Sequence, residues 1–492
     1  MATLLAGTLA FGPADPEPLR AATCFDAAAD TIAIGRETAR GWVIDVSTAE
    51  GPWQRVIGPV AVKGTFCPVL AAAPDGTAVL AAGDHPVRVA IRSPGSSFGA
   101  PATLPGGKTK TLVAAAAPGG QVAVLWGPRE RATGKIALSA LVAAPGRPSM
   151  RTVITRSGTV EYPGLAIAPD GTATAVWNAL HPLRKRMSEF RDGSWSGPVD
   201  LSTADSDGYG ESGAAVACAP HGRRLLAWKA GDGVHVQVDG EAPAIVATPE
   251  YADAITAALA DDGSAVLTFV DDAGRLLVVD RASGGAWSQP HLLPLGHEIP
   301  DISFRDNLLG QQLDLAPGGQ AMVAWPLENG RVVAVKGQAG GAWETTGSLL
   351  SSPVRVASGP RFVGGGIVWL EPDGFGQPGA LRGARLGAPA PTDTSAPTFT
   401  VRGPRRLARQ RTGPITVPIE VRCDEACDAS ARFAGVEGYP ARSLVAGKAA
   451  TLRVPAYLPE GSGGFRVRID VAVADRAGNQ GRRSVGVRIT RR

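Results

Sequence analysis

The chain is patterned as pairs of short alternating runs that meet at a glycine turn. In LAIAPDGTATAVWN (residues 165–178), Leu165 and Ile167 lead into Pro169-Asp170-Gly171, and Ala173, Ala175 and Trp177 lead out. Two period-2 runs about such a turn predict a β-hairpin. Aligned on the turn glycine, the hairpin recurs at Gly76, Gly120, Gly171, Gly222, Gly263 and Gly319. Six residues beyond the glycine stand Trp126, Trp177, Trp228, Phe269 and Trp325. Weaker copies flank the set: FDAAADTIAIG around Asp30, and RFVGGGIVW ending at Trp369.

Each period, 41 to 56 residues long, holds two further runs. A third strand follows the hairpin, as at residues 234–238 and 331–335, and a Gly-x-Trp step at Gly193, Gly285 and Gly341 opens a fourth. Four strands per period predict an all-β chain built as a β-propeller of eight four-stranded blades; seven is the alternative count, because both end repeats are degenerate. Burial demands closure: a sheet apolar on both faces must pack a neighbour on each side. Alanines then crowd the axis, and Trp or Phe fills the wider gaps between blades. The last repeat lacks a Gly-x-Trp strand, which LAFGPADPEPL near the N-terminus resembles. The N-terminal strand is therefore expected to complete the last blade, giving a propeller over residues 1–388. Residues 389–396, rich in Pro, Ala and Thr, read as a linker. Residues 397–492 alternate through about seven strands and predict a β-sandwich.

Composition agrees with many strands and turns: 63 Gly, 40 Pro and 5% aromatics in 492 residues, with a hydrophobic fraction of 44% that excludes a disordered chain. The net charge is only +4, yet residues 397–492 carry 18 Arg and Lys against 8 Asp and Glu, leaving the preceding chain acidic. A basic tail of this kind could meet anionic wall polymer, membrane surface or nucleic acid. The arginines are spread over several strands, however, and read as ordinary surface cations, so no nucleic-acid partner is expected. No apolar run of membrane-spanning length occurs. MATLLAGTLAFGPA lacks a basic n-region and makes a poor secretory signal, so either the true start lies upstream or the segment belongs to the fold.

Cys423 and Cys427 are too isolated for a zinc site and suit a local disulfide; Cys24 and Cys67 occupy corresponding parts of the first two repeats and could also pair. Cys218 sits in an apolar strand and reads as a buried small residue. Disulfides favour an extracellular or cell-surface location.

Three resemblances follow. Asp393…Ala396-Pro397, Val421-Arg-Cys-Asp-Glu-Ala-Cys427 and Ala472-Val-Ala-Asp-Arg-Ala-Gly-Asn479 resemble a bacterial immunoglobulin-like domain of secreted and surface proteins. This implies a spacer or adhesive module with a Cys423–Cys427 bridge and no catalysis. The repeats look like those of secreted bacterial propellers with Pro-Asp-Gly and Gly-x-Trp steps. Arg191-Asp-Gly-Ser-Trp195 is similar to the Asp-box turn of sialidase-type propellers, while the arginine motif of that enzyme family is absent.

Three inter-strand stretches are candidates for chemistry. Residues 201–213 hold Asp205, Asp207, Tyr209 and Glu211; residues 293–312 hold His297, Glu298, Asp301, Arg305 and Asp306; residues 178–189 hold His181, Arg184, Lys185 and Arg186. Asp205, Asp207 and Glu211 offer hard oxygens to Ca²⁺, without the spacing of an EF-hand. A convergence of Glu211, His297, Asp301 and Arg305 over the ring would supply an acid–base pair and an anion clamp. No phosphate loop, nucleophile elbow or dinucleotide fingerprint occurs, and no cofactor is expected beyond that Ca²⁺ option. The reading is a monomeric, non-enzymatic binding or structural protein, with a protein or glycan of the cell envelope as partner and carbohydrate binding on the propeller's loop face. The alternative is a glycan-active hydrolase or lyase.

Overall fold

A computed structural model describes residues 20–491 except 49–51, 62–66, 84–85, 106–108, 129–136, 146, 156–159, 181–182, 203–213, 251, 297–310, 328–330, 352–356, 365, 373–378, 386–392, 394, 410–414, 434–440, 457–463, 476 and 478. All its regular elements are β-strands. Seven antiparallel sheets take their strands in chain order: blade 1 (residues 24–60), blade 2 (68–103), blade 3 (109–155), blade 4 (160–200, with one extra short strand), blade 5 (214–247), blade 6 (252–292) and blade 7 (312–349). Blade 8 (358–385) has three strands of its own, and Arg20–Ala22 supplies the fourth by pairing along Gly379, Ala380 and Leu381. The innermost strands meet in sequence round the ring, and Cys24–Ala28 of blade 1 meets Ser358–Val363 of blade 8. The chain is thus a β-propeller of eight four-stranded blades.

The repeated aromatics explain why the blades adhere. Trp126 packs with Val79, Ala81 and Val89 of blade 2, Trp177 with Leu125 and Leu138 of blade 3, and Phe269 with Leu225 and Val236 of blade 5. Trp325 and Trp369 likewise reach back onto blades 6 and 7. Each such ring buries roughly 200 Å², or about 5 kcal/mol of transfer free energy before ordering costs.

The hairpin turns do more than reverse the chain. Gly171 sits at φ +87°, where glycine is favoured, and its N–H donates to Ala168 O at 2.9 Å. In blade 2 the turn acid also crosses to the next blade: Asp75 accepts the Gly119 N–H at 2.7 Å, and Thr77 Oγ1 accepts that of Gly120 at 3.0 Å. Partial burial pushes the Asp75 carboxyl up, but the Gly119 and Thr77 N–H groups outweigh it and hold it below the ordinary carboxylate range.

Outer strands vary: those of blades 1 and 3 run seven and nine residues, whereas those at the Gly-x-Trp steps of blades 6 and 7 are shorter than the pattern suggests. Blades 6 and 7 end in His291–Leu292 and Ser348–Leu349, two residues each, well beyond the tryptophan. Short outer strands limit unpaired edge at the rim of the ring.

Two disulfides are present. Cys24–Cys67 joins blades 1 and 2 with Cα atoms 5.6 Å apart, and Cys423–Cys427 closes a tight loop in the tail. Loop-closure entropy assigns about 4 kcal/mol to the first and about 2 kcal/mol to the second. Replacing Cys24 and Cys67 together by alanine should therefore lower the urea midpoint more than the same change at Cys423 and Cys427.

The tail is two sheets on one core. Phe399–Arg402, Ile415–Cys423 and Ala449–Ala456 form one; Arg406–Arg409, Gln480–Arg491, Gly464–Asp475, Cys427–Phe433 and Ala441–Leu444, in that order, form the other. Strict alternation in Ile415–Cys423 turns Val417, Ile419 and Val421 inward onto Ile469, Val471 and Val487. Blade 8 meets this tail through Arg382, which bonds buried Glu371 at 3.3 Å and donates to Ser443 Oγ at 2.6 Å. Trp369 Nε1 holds the same Glu371 at 3.0 Å.

Candidate functional site at the propeller axis

The hairpin register puts one position of the innermost strand on a common rung in blades 2 to 7. Ala71 faces Val79, Ala115 faces Ala123, Ala166 faces Thr174, Ala217 faces Leu225 and Ala258 faces Val266; in blade 7 Asp314 faces Met322. Small side chains leave an axial cavity of about 460 Å³. Innermost strands from blades 1–5, 7 and 8 line it, mostly with Ala, Val, Leu and Ile.

Charge enters at few points. Asp26 of blade 1 pairs with Arg361 Nε of blade 8 at 2.7 Å and accepts the Leu70 N–H of blade 2 at 2.8 Å, so this couple ties three blades across the closure seam. Asp314 reaches water yet is ringed by protein; the surrounding protein pushes its carboxyl up, against the Leu315 N–H. Cys218 is half-buried on the strand Ala214–Cys218, and its thiol is pushed up to about 12 by burial. A thiol so protonated is a poor nucleophile at neutral pH. Cys218 also lines a cleft of about 90 Å³ beside Arg224. Arg224 bonds Glu189 and Thr174 of blade 4 and Asp239 of its own blade, the last at 2.8 Å.

Glu211, His297, Asp301 and Arg305, and the calcium candidates Asp205 and Asp207, all lie outside the described residues, as do Tyr209, Glu298, Asp306 and His181. The flanking strands fix where those loops attach: residues 203–213 run from blade 4 to blade 5 and residues 297–310 from blade 6 to blade 7. Both therefore connect the outer strand of one blade to the inner strand of the next. At the base of the second, Gln311 is buried and donates to Thr268 Oγ1 at 3.2 Å.

The third candidate stretch is corrected by the structure. Residues 178–189 are mainly strand, in Ala173–Leu180 and Leu183–Arg191. Arg184 and Arg186 both bond Asp200, the latter at 2.8 Å. Partial burial raises the Asp200 carboxyl, but the two guanidiniums outweigh it and hold it low. These cations neutralise an acid on the blade's outer edge.

No family model matches the chain, and no curated protein matches it. Among solved structures, the Dos1 propeller aligns at 12% identity over 77% of this chain and 94% of that one, with a TM-score of 0.47. The WD40 domain of SCAP from fission yeast aligns at 9% identity over 77% and 98%, TM-score 0.43. An Aleuria aurantia lectin in complex with alpha-methyl-L-fucoside aligns at 14% identity over 57% and 97%, TM-score 0.32. The propeller assignment stands on the sheet order of this chain itself.

Proposed function

We propose that the protein is a non-enzymatic binding protein of the cell envelope, extracellular or surface-exposed, whose propeller face presents a site for a glycan or envelope protein. The observation that carries this reading is the chemistry of the axis. An acid–base enzyme centred there would need a free acid and a partner aimed at substrate. The described lining instead offers mostly aliphatic side chains and an Asp26–Arg361 couple spent on each other at 2.7 Å. The acid that remains on the inner rung, Asp314, has no ion-pair partner among the described residues to complete an acid–base pair. The two disulfides support an oxidising location. The tail serves as an immunoglobulin-like spacer or adhesive module. Its strand order, three strands facing five with Arg406–Arg409 parallel to the C-terminal strand, supports that role.

The test is a glycan array and polysaccharide pull-down with the full chain, followed by product analysis of each retained polymer. Saturable retention with no shortening of the polymer is expected. Time-dependent release of reducing or unsaturated ends would replace this reading with a glycan-active enzyme.

A further inference from the structure

We infer that the outer face of the five-stranded tail sheet is a docking surface for a linear acidic glycan. This surface is separate from the propeller's and does not depend on what the propeller binds. Strand register gathers the scattered arginines. Arg406 stands beside Arg488, and Arg488 beside Arg466, on one rung across three strands. Arg468, Arg432 and Arg482 continue the same exposed face. The acids on it are Asp470, which bonds Arg468 at 3.0 Å and Ser484 Oγ at 2.7 Å, and Asp428, which is engaged with Ser443 at the blade 8 end. Among the described residues, Arg406, Arg466 and Arg488 have no acid partner.

Like charges directly opposite on neighbouring strands destabilise a sheet. Three in a row at about 5 Å spacing, with Arg468 about 7 Å along the strand from Arg466, keep that repulsion in the free protein. A polymer carrying regularly spaced carboxylates or sulfates relieves it, and guanidinium forks pair such groups bidentately. Among the described residues the face bears no aromatic or large aliphatic side chain. It therefore has nothing to insert among acyl chains and nothing to stack under bases, which favours a glycan over a membrane or a nucleic acid.

The full chain is passed over heparin, polygalacturonate and neutral dextran beads, and mixed with phosphatidylglycerol vesicles and duplex DNA. Salt-sensitive retention on both acidic polymers and none on dextran is expected. Arg466→Ser with Arg488→Ser should weaken it about tenfold and flatten its salt dependence. Arg402→Ser with Arg453→Ser, on the opposite sheet, should leave it unchanged. The first pair should melt no lower than the parent, because it removes a repulsion; should it fail to fold, Arg406→Ser at the sheet edge gives the same readout. Absence of retention, equal retention by the Arg466/Arg488 variant, or tighter binding to vesicles or DNA than to either acidic polymer overturns the inference.

Discussion

Deleting residues 1–22 should abolish the cooperative unfolding of the propeller. The strand Arg20–Ala22 is the outer strand of blade 8, and Ala22 is fully buried. It belongs to a cluster that spans the seam, with Ile32 and Ile34 of blade 1 against Val368, Leu370 and Leu381 of blade 8. Without it, Gly379–Arg385 becomes a bare edge and the ring can open between its first and last blades. A closed array has no terminal repeat, whereas an open one exposes two apolar blade faces. Lost ladder bonds and seam burial together are worth on the order of 5 kcal/mol. Calorimetry should show a broad, early transition, and proteolysis should begin in blade 8. An unchanged, sharp transition in the deletion would show that the seam holds without this strand.

The ring was legible because its signal is local and repeated. Pro-Asp-Gly turns, period-2 runs and an aromatic six residues on lie within a dozen positions of each other, and each copy corrects the reading of the next. Cys24 and Cys67 were legible as a pair for the same reason, since they occupy corresponding places in adjacent repeats. What escaped was pairing at a distance. Asp26 and Arg361 are 335 positions apart, and no pattern in either repeat points to the other. Residues 178–189 read as a loop because Arg184-Lys185-Arg186 breaks the apolar alternation. On that strand each face mixes charged side chains with a core one, Met187 on one and Phe190 on the other, and ladder bonds with Ala173–Leu180 supply the order that hydrophobic contrast does not. The tail arginines read as dispersed because strand register, not sequence spacing, aligns them on one face. Of the residues singled out for chemistry, Arg184 and Arg186 prove to be strand residues that neutralise Asp200, while those in 203–213 and 297–310 lie outside the described residues.

A second large effect is expected at a carboxylate that sequence spacing did not mark. Asp280 is buried to 1% exposure in blade 6, on the strand Leu276–Arg281. It accepts the Gly340 N–H at 2.9 Å and the Trp343 Nε1–H at 2.5 Å, both from blade 7. The step Gly340-Gly-Ala-Trp343, which has no acid of its own, thus takes one from the neighbouring blade. Its ring cannot shift to compensate: a Cβ on Gly337 would lie 2.2 Å from the Trp343 indole, so the ring rests directly on backbone. Asp280→Ala strands two donors against this wall, and each bond to a charged acceptor is worth about 1.5–3 kcal/mol, for a total of about 3–6 kcal/mol. Asp280→Asn should recover only part, since its amide group presents a donor to one of the two N–H groups. Trp343→Phe should cost less than Asp280→Ala, and the double variant should cost less than the sum of the two, because both report one shared contact. Urea denaturation of the four proteins measures the cycle. Strict additivity would mean that the blade 6–blade 7 seam is held by burial alone.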